Sequence, residues 1–269
     1  MKKIDLETPP SQSWHRDLAL LIGHNRSRNF PEVMNESLSH LVRFDANLTA
    51  TYKGSYKPIE VFSTHSGCLK PPLEKYLNEY YMLDPVFNSI RKGLPAGVYR
   101  LQEITPDAIV TTDYYRLCYQ EFDPGDEIIL VIPLEHGVVF TIALGRHSSL
   151  GAISRAERHV LNSIFPVISA LVQQFWIAQS GAFLHDERTS NTLERALSSF
   201  GSGVLTRREQ EITGLVLQGY SSKSIAEQLH ISSGTVKVHR RNIYARLSIS
   251  TQSELFSIFL DHLGKLEEP

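Results

Sequence analysis

Two sets of side chains in this sequence could do chemistry. Across residues 235–247, Val236, Ile243 and Leu247 fall on one side of a helix, while Lys237, Arg240, Arg241 and Arg246 fall on the other. Such a row of cations suits phosphate and the acceptor edges of bases, although by charge alone a solvated helix face is the commoner reading. The second set is aromatic and acidic. Tyr76, Tyr80, Tyr81, Phe87, Tyr99, Tyr114 and Tyr115 supply flat walls with polar tips, and Asp84 among them can orient an amide or amine donor. Each also has a plainer reading, the aromatics as core and the aspartate before Pro85 as a helix cap.

Other chemistries lack their residues. There is no nucleophile elbow, no His/Cys pair at catalytic spacing and no phosphate-cradling G-x-x-x-x-G-K-[ST] loop, so an enzyme is not expected. His24, His40, His65, His136, His147 and His159 lack metal-ligand spacing, and neither metal nor cofactor is expected. Cys68 and Cys118 are too few for a disulfide framework and fit a reducing compartment; they could sense oxidants, although buried inert thiols are commoner. No stretch approaches the ~20 apolar residues of a membrane span. The start, MKKIDLETPP, turns polar at once and has no signal-peptide core, so a cytoplasmic location without membrane is expected.

These side chains need elements to carry them. The 269 residues hold 42% hydrophobic and 21% charged side chains, an ordinary globular balance. At roughly 150 residues per domain, that length suggests two domains. We place one domain at 1–180, a linker at 181–203, polar and then rich in Ser and Gly, and a second, smaller domain at 204–266. The net charge of −2 hides the division: residues 1–203 carry −3, residues 204–246 carry +4, and residues 247–269 carry −3. A small basic module is therefore flanked by acidic sequence.

The basic module punctuates itself. Thr206-x-x-Glu209 is a capping box opening a helix with Ile212, Leu215 and Val216 on its apolar stripe, and Gly219 supplies the stop. Ser221 or Ser222 caps a short helix over 223–229, and Ser232 or Ser233 caps the basic third helix. Two short helices, a tight turn and a basic third helix describe a helix-turn-helix. Thr251-x-x-Glu254 opens a fourth helix with Leu255, Phe256, Ile258, Phe259, Leu260 and Leu263. That is more apolar surface than a three-helix core covers, and a second copy of the chain would absorb it; the alternative is packing within the chain.

Upstream, helical periodicity at 14–24 and 31–44 is followed by strand patterns at 48–53, 58–64, 127–134 and 138–146, the last two joined by a hairpin signal at Glu135-His136-Gly137. Ser154-x-x-Glu157 then caps a long helix that Pro166 kinks without necessarily ending. The expected fold class is an α+β sensor domain, an antiparallel sheet flanked by helices, followed by an all-α four-helix domain.

Residues 205–250 resemble the LuxR/NarL-type helix-turn-helix of bacterial transcription regulators. The match runs through Leu205-Thr206-x-Arg208-Glu209, Gly219-x-Ser221-x-Lys223-x-Ile225-Ala226, Leu229-x-Ile231-Ser232 and Thr235-Val236-Lys237-x-His239 in one frame. Ser222, Ser224, Ser248 and Gln252 depart from the usual Asn, Glu, Gly and Arg. The resemblance implies base reading by Lys237, Val238 and Arg241, which is consistent with Lys and Arg donating to guanine and Val packing on a thymine methyl. Arg208, Ser222, Lys223, Thr235, His239 and Arg240 would hold phosphates, with a structural role for His239 the alternative.

The segment around Asp84-Pro85-Val86 resembles the sensing domain of LuxR-type regulators. In the acyl-homoserine-lactone receptors of that family the matching Asp accepts a hydrogen bond from the signal's amide. Their upstream Trp and Tyr do not align, since Pro71 and Lys75 stand there, while Tyr99 takes the place of a downstream pocket Trp. Asp84, Tyr76, Tyr80 and Tyr99 are the candidate ligand contacts. The expected partners are double-stranded DNA at a pseudo-palindromic operator, a second copy of the chain, a small-molecule effector and, as a further candidate, RNA polymerase. A sensor domain that docks a protein instead of a small ligand is the alternative, and it calls for an exposed apolar face in place of a pocket.

Overall fold

The computed structural model describes residues 8–67, 70–107, 115–116, 124–183 and 192–267. Cys68, Tyr114, Cys118 and part of the expected linker lie outside the described residues.

Strands form where apolar and β-branched residues alternate. β1 (Ala46–Lys53), β2 (Ile59–Ser63), β3 (Gly97–Arg100), β4 (Pro124–Pro133) and β5 (Val138–His147) make one antiparallel sheet in the order β2-β1-β5-β4-β3. The β4–β5 hairpin turns through His136 and Gly137, both at positive φ (58° and 71°), a conformation glycine adopts without steric cost. β3 is an addition to the sequence reading; its four residues are too few to show a period.

Because side chains alternate across a strand, the sheet has two different faces. On one, Ile128, Leu130 and Ile132 of β4 and Phe140, Ile142 and Leu144 of β5 are buried under three helices, α1 (Pro9–His24), α2 (Phe30–Ser39) and α6 (Arg155–Gln179). The Ser154–Glu157 capping box starts α6, which runs on through Pro166. By length and composition alone this helix would pass as a membrane span, contrary to the expectation from the sequence. Its stripe of Leu161, Ile168, Val172 and Phe175 is instead spent on the sheet core.

The other face carries Glu127, Ile129 and Val131 of β4 opposite Gly145, Ala143 and Thr141 of β5. Beyond them stand Ala46, Leu48, Ala50 and Tyr52 of β1. Small side chains dominate the middle, so the covering segment cannot close down fully. That cover is α3 (Lys70–Lys75), a π-helical turn (Tyr76–Tyr80), a 3₁₀ turn (Tyr81–Leu83) and α4 (Pro85–Arg91). A short α5 (Leu101–Ile104) follows β3.

The remaining helices are α7 (Thr192–Ser199), α8 (Arg207–Leu217), α9 (Ser222–Leu229), α10 (Ser233–Arg246) and α11 (Gln252–Glu267). Their caps are side chains: Thr206 accepts from the Glu209 N–H, Ser221 from Ser224 and Ser232 from Thr235. Ile212, Val216, Ile225, Val236, Ile243, Leu255 and Phe259 fill the core. The apolar excess on α11 does not stay open for a second copy, as the sequence suggested. Leu255, Phe256, Phe259 and Leu263 are all buried within the chain. Phe200, just after α7, packs edge-on against Phe259 at 5.4 Å, and Tyr80 lies 6.3 Å from Phe256. The cover comes from elements distant in sequence, which periodicity in α11 alone does not reveal.

Candidate nucleic-acid interface and ligand cavity

The cap at Ser232 and the buried pair Val236 and Ile243 fix which way α10 faces. Lys237, Val238 and Arg241 therefore stand on its exposed side, Val238 being 46% accessible. Neither Lys237 nor Arg241 has a hydrogen bond or ion pair to a described residue. Lys223, on the first turn of α9, is exposed and equally unpaired among the described residues.

The remaining candidates for phosphate divide. Arg240 is steadied by Ser222 Oγ, Tyr244 OH and Gln252 Oε1 at 3.1–3.4 Å, so Gln252 serves as an acceptor where the family usually has Arg. Arg208 bonds Glu211 (2.6 Å) and the Leu229 carbonyl (3.0 Å), and Thr235 Oγ1 lies 2.8 Å from Ser232 Oγ. His239 is half-buried with no hydrogen-bond partner for Nδ1. It faces Glu209, a buried carboxylate whose desolvation is outweighed by Thr206, Arg246 and His239, leaving its pKa below the ordinary value.

The small side chains on the other sheet face leave a cavity of about 220 Å³ under α3 and α4. Tyr52, Tyr76, Asp84, Glu127, Thr141 and His65 are among its lining residues. Asp84 Oδ1 caps α4 by accepting the Val86 N–H at 2.8 Å, and Oδ2 accepts the Tyr76 hydroxyl. Tyr76 OH lies 3.2 Å from Tyr52 OH. Burial, then the charge of Asp84, pushes the Tyr52 phenol well up. Burial also pushes Glu127 up to about 8, with Asp84 and Asp126 adding to the shift. For His65 burial acts in the other sense and lowers the pKa.

Of the four residues assigned to a ligand from sequence, Asp84 and Tyr76 meet in the cavity, and Tyr80 and Tyr99 do not line it. Tyr80 is the last residue of the π-helical turn and points to α11. Tyr99 sits on edge strand β3 with its hydroxyl on the Pro95 carbonyl at 3.1 Å. Tyr52, Glu127 and Thr141 were not anticipated. Glu127 does leave a trace in the sequence, as a charge in the inward phase of the otherwise apolar alternation Glu127, Ile129, Val131.

The helices touch the sheet domain at polar and aromatic points. Asp107 accepts the Ser221 N–H at 3.2 Å and its hydroxyl at 2.6 Å, at the N-cap of α9. Those Ser221 bonds, against a smaller cost of burial, keep the Asp107 carboxyl below its ordinary pKa. Lys92 donates to Tyr220 OH at 2.9 Å, and Arg116 to Ser253 Oγ at 3.0 Å.

A capped helical module with an exposed basic helix, joined to a sheet domain with an internal cavity, defines a helix-turn-helix regulator with a separate sheet domain. Comparison with known proteins gives the same class. The GerE profile, bacterial regulatory proteins of the luxR family, matches residues 203–259. A protein of Aeromonas salmonicida, named for an HTH-type transcriptional regulator in the exeN 3′ region, is 34% identical over 186 residues, covering 67% of this chain and 94% of that one. The transcriptional regulatory protein MctR of Rhizobium johnstonii is 47% identical over 62 residues, only 29% of its own length. The VqsR LBD domain of Pseudomonas aeruginosa superposes with a TM-score of 0.56 at 18% identity, covering 63% of this chain and 98% of that one, a likeness of fold. The chain belongs to the LuxR family of bacterial regulatory proteins. It is a DNA-binding transcriptional regulator, not an enzyme.

Proposed function

We propose that the affinity of this regulator for its operator is set by a small molecule held in the cavity. In this reading residues 1–180 sense, 181–203 connect and 204–266 bind DNA. Lys237, Val238 and Arg241 read base edges. Lys223, Ser222 and Thr235 take phosphates, with Arg208 and Arg240 held ready by their internal bonds. His239 acts structurally, since its Nδ1 is buried and the ring is near enough to Glu209 to act on that carboxylate.

The observation that supports ligand control is a shared element. Tyr76 and Asp84 line the cavity, and Tyr80, one turn beyond Tyr76, rests on Phe256 of α11. A ligand that shifts Tyr76 moves the segment against which the DNA module leans. The present arrangement opposes DNA: Asp107 occupies the N–H and hydroxyl at the start of α9, groups that favour a phosphate at a helix N-terminus. Leu20 and Ile22 on α1 and Val167 and Ile177 on α6 are exposed apolar side chains, and covering some of them with a second copy would suit a homodimer on a pseudo-palindromic site in the cytoplasm.

Selection of sites from random duplex DNA by the full chain, followed by binding titrations with and without pooled metabolites, tests this reading. Asp107→Ala is expected to tighten ligand-free binding several-fold. If neither Asp107→Ala nor any pool changes the affinity, the chain binds DNA without ligand control.

A further inference from the structure

Resting on the reading that the cavity holds the effector, we propose that this effector carries a protonated amine, bound between Glu127 and Asp84 with its apolar body against Leu48, Ile129 and Ala143.

Glu127 comes from β4 in the phase that faces the cavity, and its carboxyl has no hydrogen bond or ion pair to any described residue. Glu127 is half-buried, and a carboxyl that lines a cavity without a partner is a contact waiting for a donor. Asp84 lies close enough for its charge to be felt at Glu127, and both of its oxygens already accept hydrogen bonds. A carboxylate oxygen accepts more than one, so Asp84 can still serve a cation. Asp45 completes an acidic lining.

The cations of the lining do not offset this. Arg146 is spent on Glu157, on the Arg43 carbonyl and on the Ala152 carbonyl at 3.2 Å. Burial lowers the pKa of His65, and His147 Nδ1 accepts from the Ser149 N–H at 3.2 Å. Among the described residues of the lining, an anionic ligand would meet carboxylates and cations already engaged elsewhere. The aromatic faces of Tyr52 and Tyr76 also favour an ammonium over a neutral group. Until a cation arrives, Glu127 relieves the crowding by keeping its proton, consistent with its raised pKa. At about 220 Å³ the cavity lies at the small end for ligand sites, which points to a compact amine rather than a long-chain one.

The test compares isosteres on the full-length protein by calorimetry and thermal shift, using phenethylamine against 2-phenylethanol and hexylamine against 1-hexanol. Each amine is expected to bind at least ~10-fold tighter than its alcohol, the usual gain of a charge-assisted bond in a dry site. Glu127→Gln should cost the amines ~10-fold or more and leave the alcohols unchanged, with circular dichroism confirming the fold. Alcohols binding as tightly as amines, or amines indifferent to Glu127→Gln, would overturn the proposal. Ala143→Phe, which fills the cavity, separates the two levels. Neutral probes that bind and are lost in Ala143→Phe leave the cavity reading standing while the amine falls. If no probe binds and Ala143→Phe leaves the response to metabolite pools intact, the cavity reading falls too.

Discussion

The DNA module and the pocket side of the sheet solve opposite problems. In the module, Ile212, Ile225, Val236, Ile243 and Phe259 close on one another, and the polar chemistry is turned outward as Lys223, Lys237 and Arg241, exposed and unpaired among the described residues. On the sheet, Ala143, Thr141 and Gly145 hold back from their cover, and the polar chemistry is turned inward as Asp84 and Glu127. A reader of DNA needs a rigid body that fixes the aim of an exposed helix. A sensor needs a hole, and pays for it with packing it never makes.

The sharpest way to break this comparison is to change volume in each region. Ile212→Ala should destabilise the chain by ~2–5 kcal/mol, because a filled core relaxes only partly around a missing side chain. Ala143→Val adds two methyl groups where space exists and a β-branched residue where a strand wants one, so its cost should be about zero or negative. Urea denaturation of both variants measures this; equal losses would mean the sheet face is as closely packed as the module.

The next effect is on binding. Lys237→Ala and Arg241→Ala should each cost ~1–3 kcal/mol on the selected operator and relax base preference there, while leaving thermal stability unchanged. An unchanged footprint and affinity in both would remove α10 from base reading.

The contrast also explains what the sequence disclosed. Three starts and one stop of the module are written within a few residues: Thr206 with Glu209, Ser221 with Ser224, Ser232 with Thr235, and Gly219 at positive φ. The long helix capped by Ser154 and the β4–β5 hairpin were legible for the same reason. The cavity is different, because its lining comes from β1, the 70–91 segment, β4 and β5, and exists only once the register brings Glu127 opposite Gly145. Tyrosines near Asp84 in sequence drew attention, yet Tyr80 and Tyr99 point elsewhere, while Tyr52 arrives from a strand more than twenty residues upstream. Small residues such as Ala143 and Gly145 carry no chemical signal, although they make the space. The cover over α11 stayed hidden likewise, because Tyr80 and Phe200 come from elements far from it in sequence.

Two carboxylates around the sheet should separate by pH. Glu157 is held down to about 2 chiefly by the Arg146 hydrogen bond, against a smaller cost of burial. Its stabilising contribution is present above its ordinary value of 4.5 and is lost as pH falls from there toward about 2. Glu127, pushed up to about 8, does the reverse. Between its ordinary 4.5 and about 8 the folded state keeps a proton the unfolded state has lost, so stability declines as pH rises through that window and levels above it. Denaturation series should show Glu127→Gln flattening the alkaline decline and Glu157→Gln flattening the acid loss. A Glu127→Gln profile parallel to the parent's would mean that Glu127 is not shielded from water in the cavity.

The smallest effect tests the outward-facing half. Lys223 stands exposed at the start of α9, beside the Ser221 that Asp107 holds. A lysine on a phosphate contributes through released counterions and carries no sequence information. Lys223→Ala should therefore weaken all DNA sequences about equally and reduce the steepness of log affinity against log salt by about 1 per copy. Asp107→Ala should leave the slope close to the parent's, since a carboxylate displaced from Ser221 by DNA is no longer near the phosphate. A Lys223→Ala variant with an unchanged slope would place the phosphate contacts elsewhere on the module and leave Lys223 as a solvated surface charge.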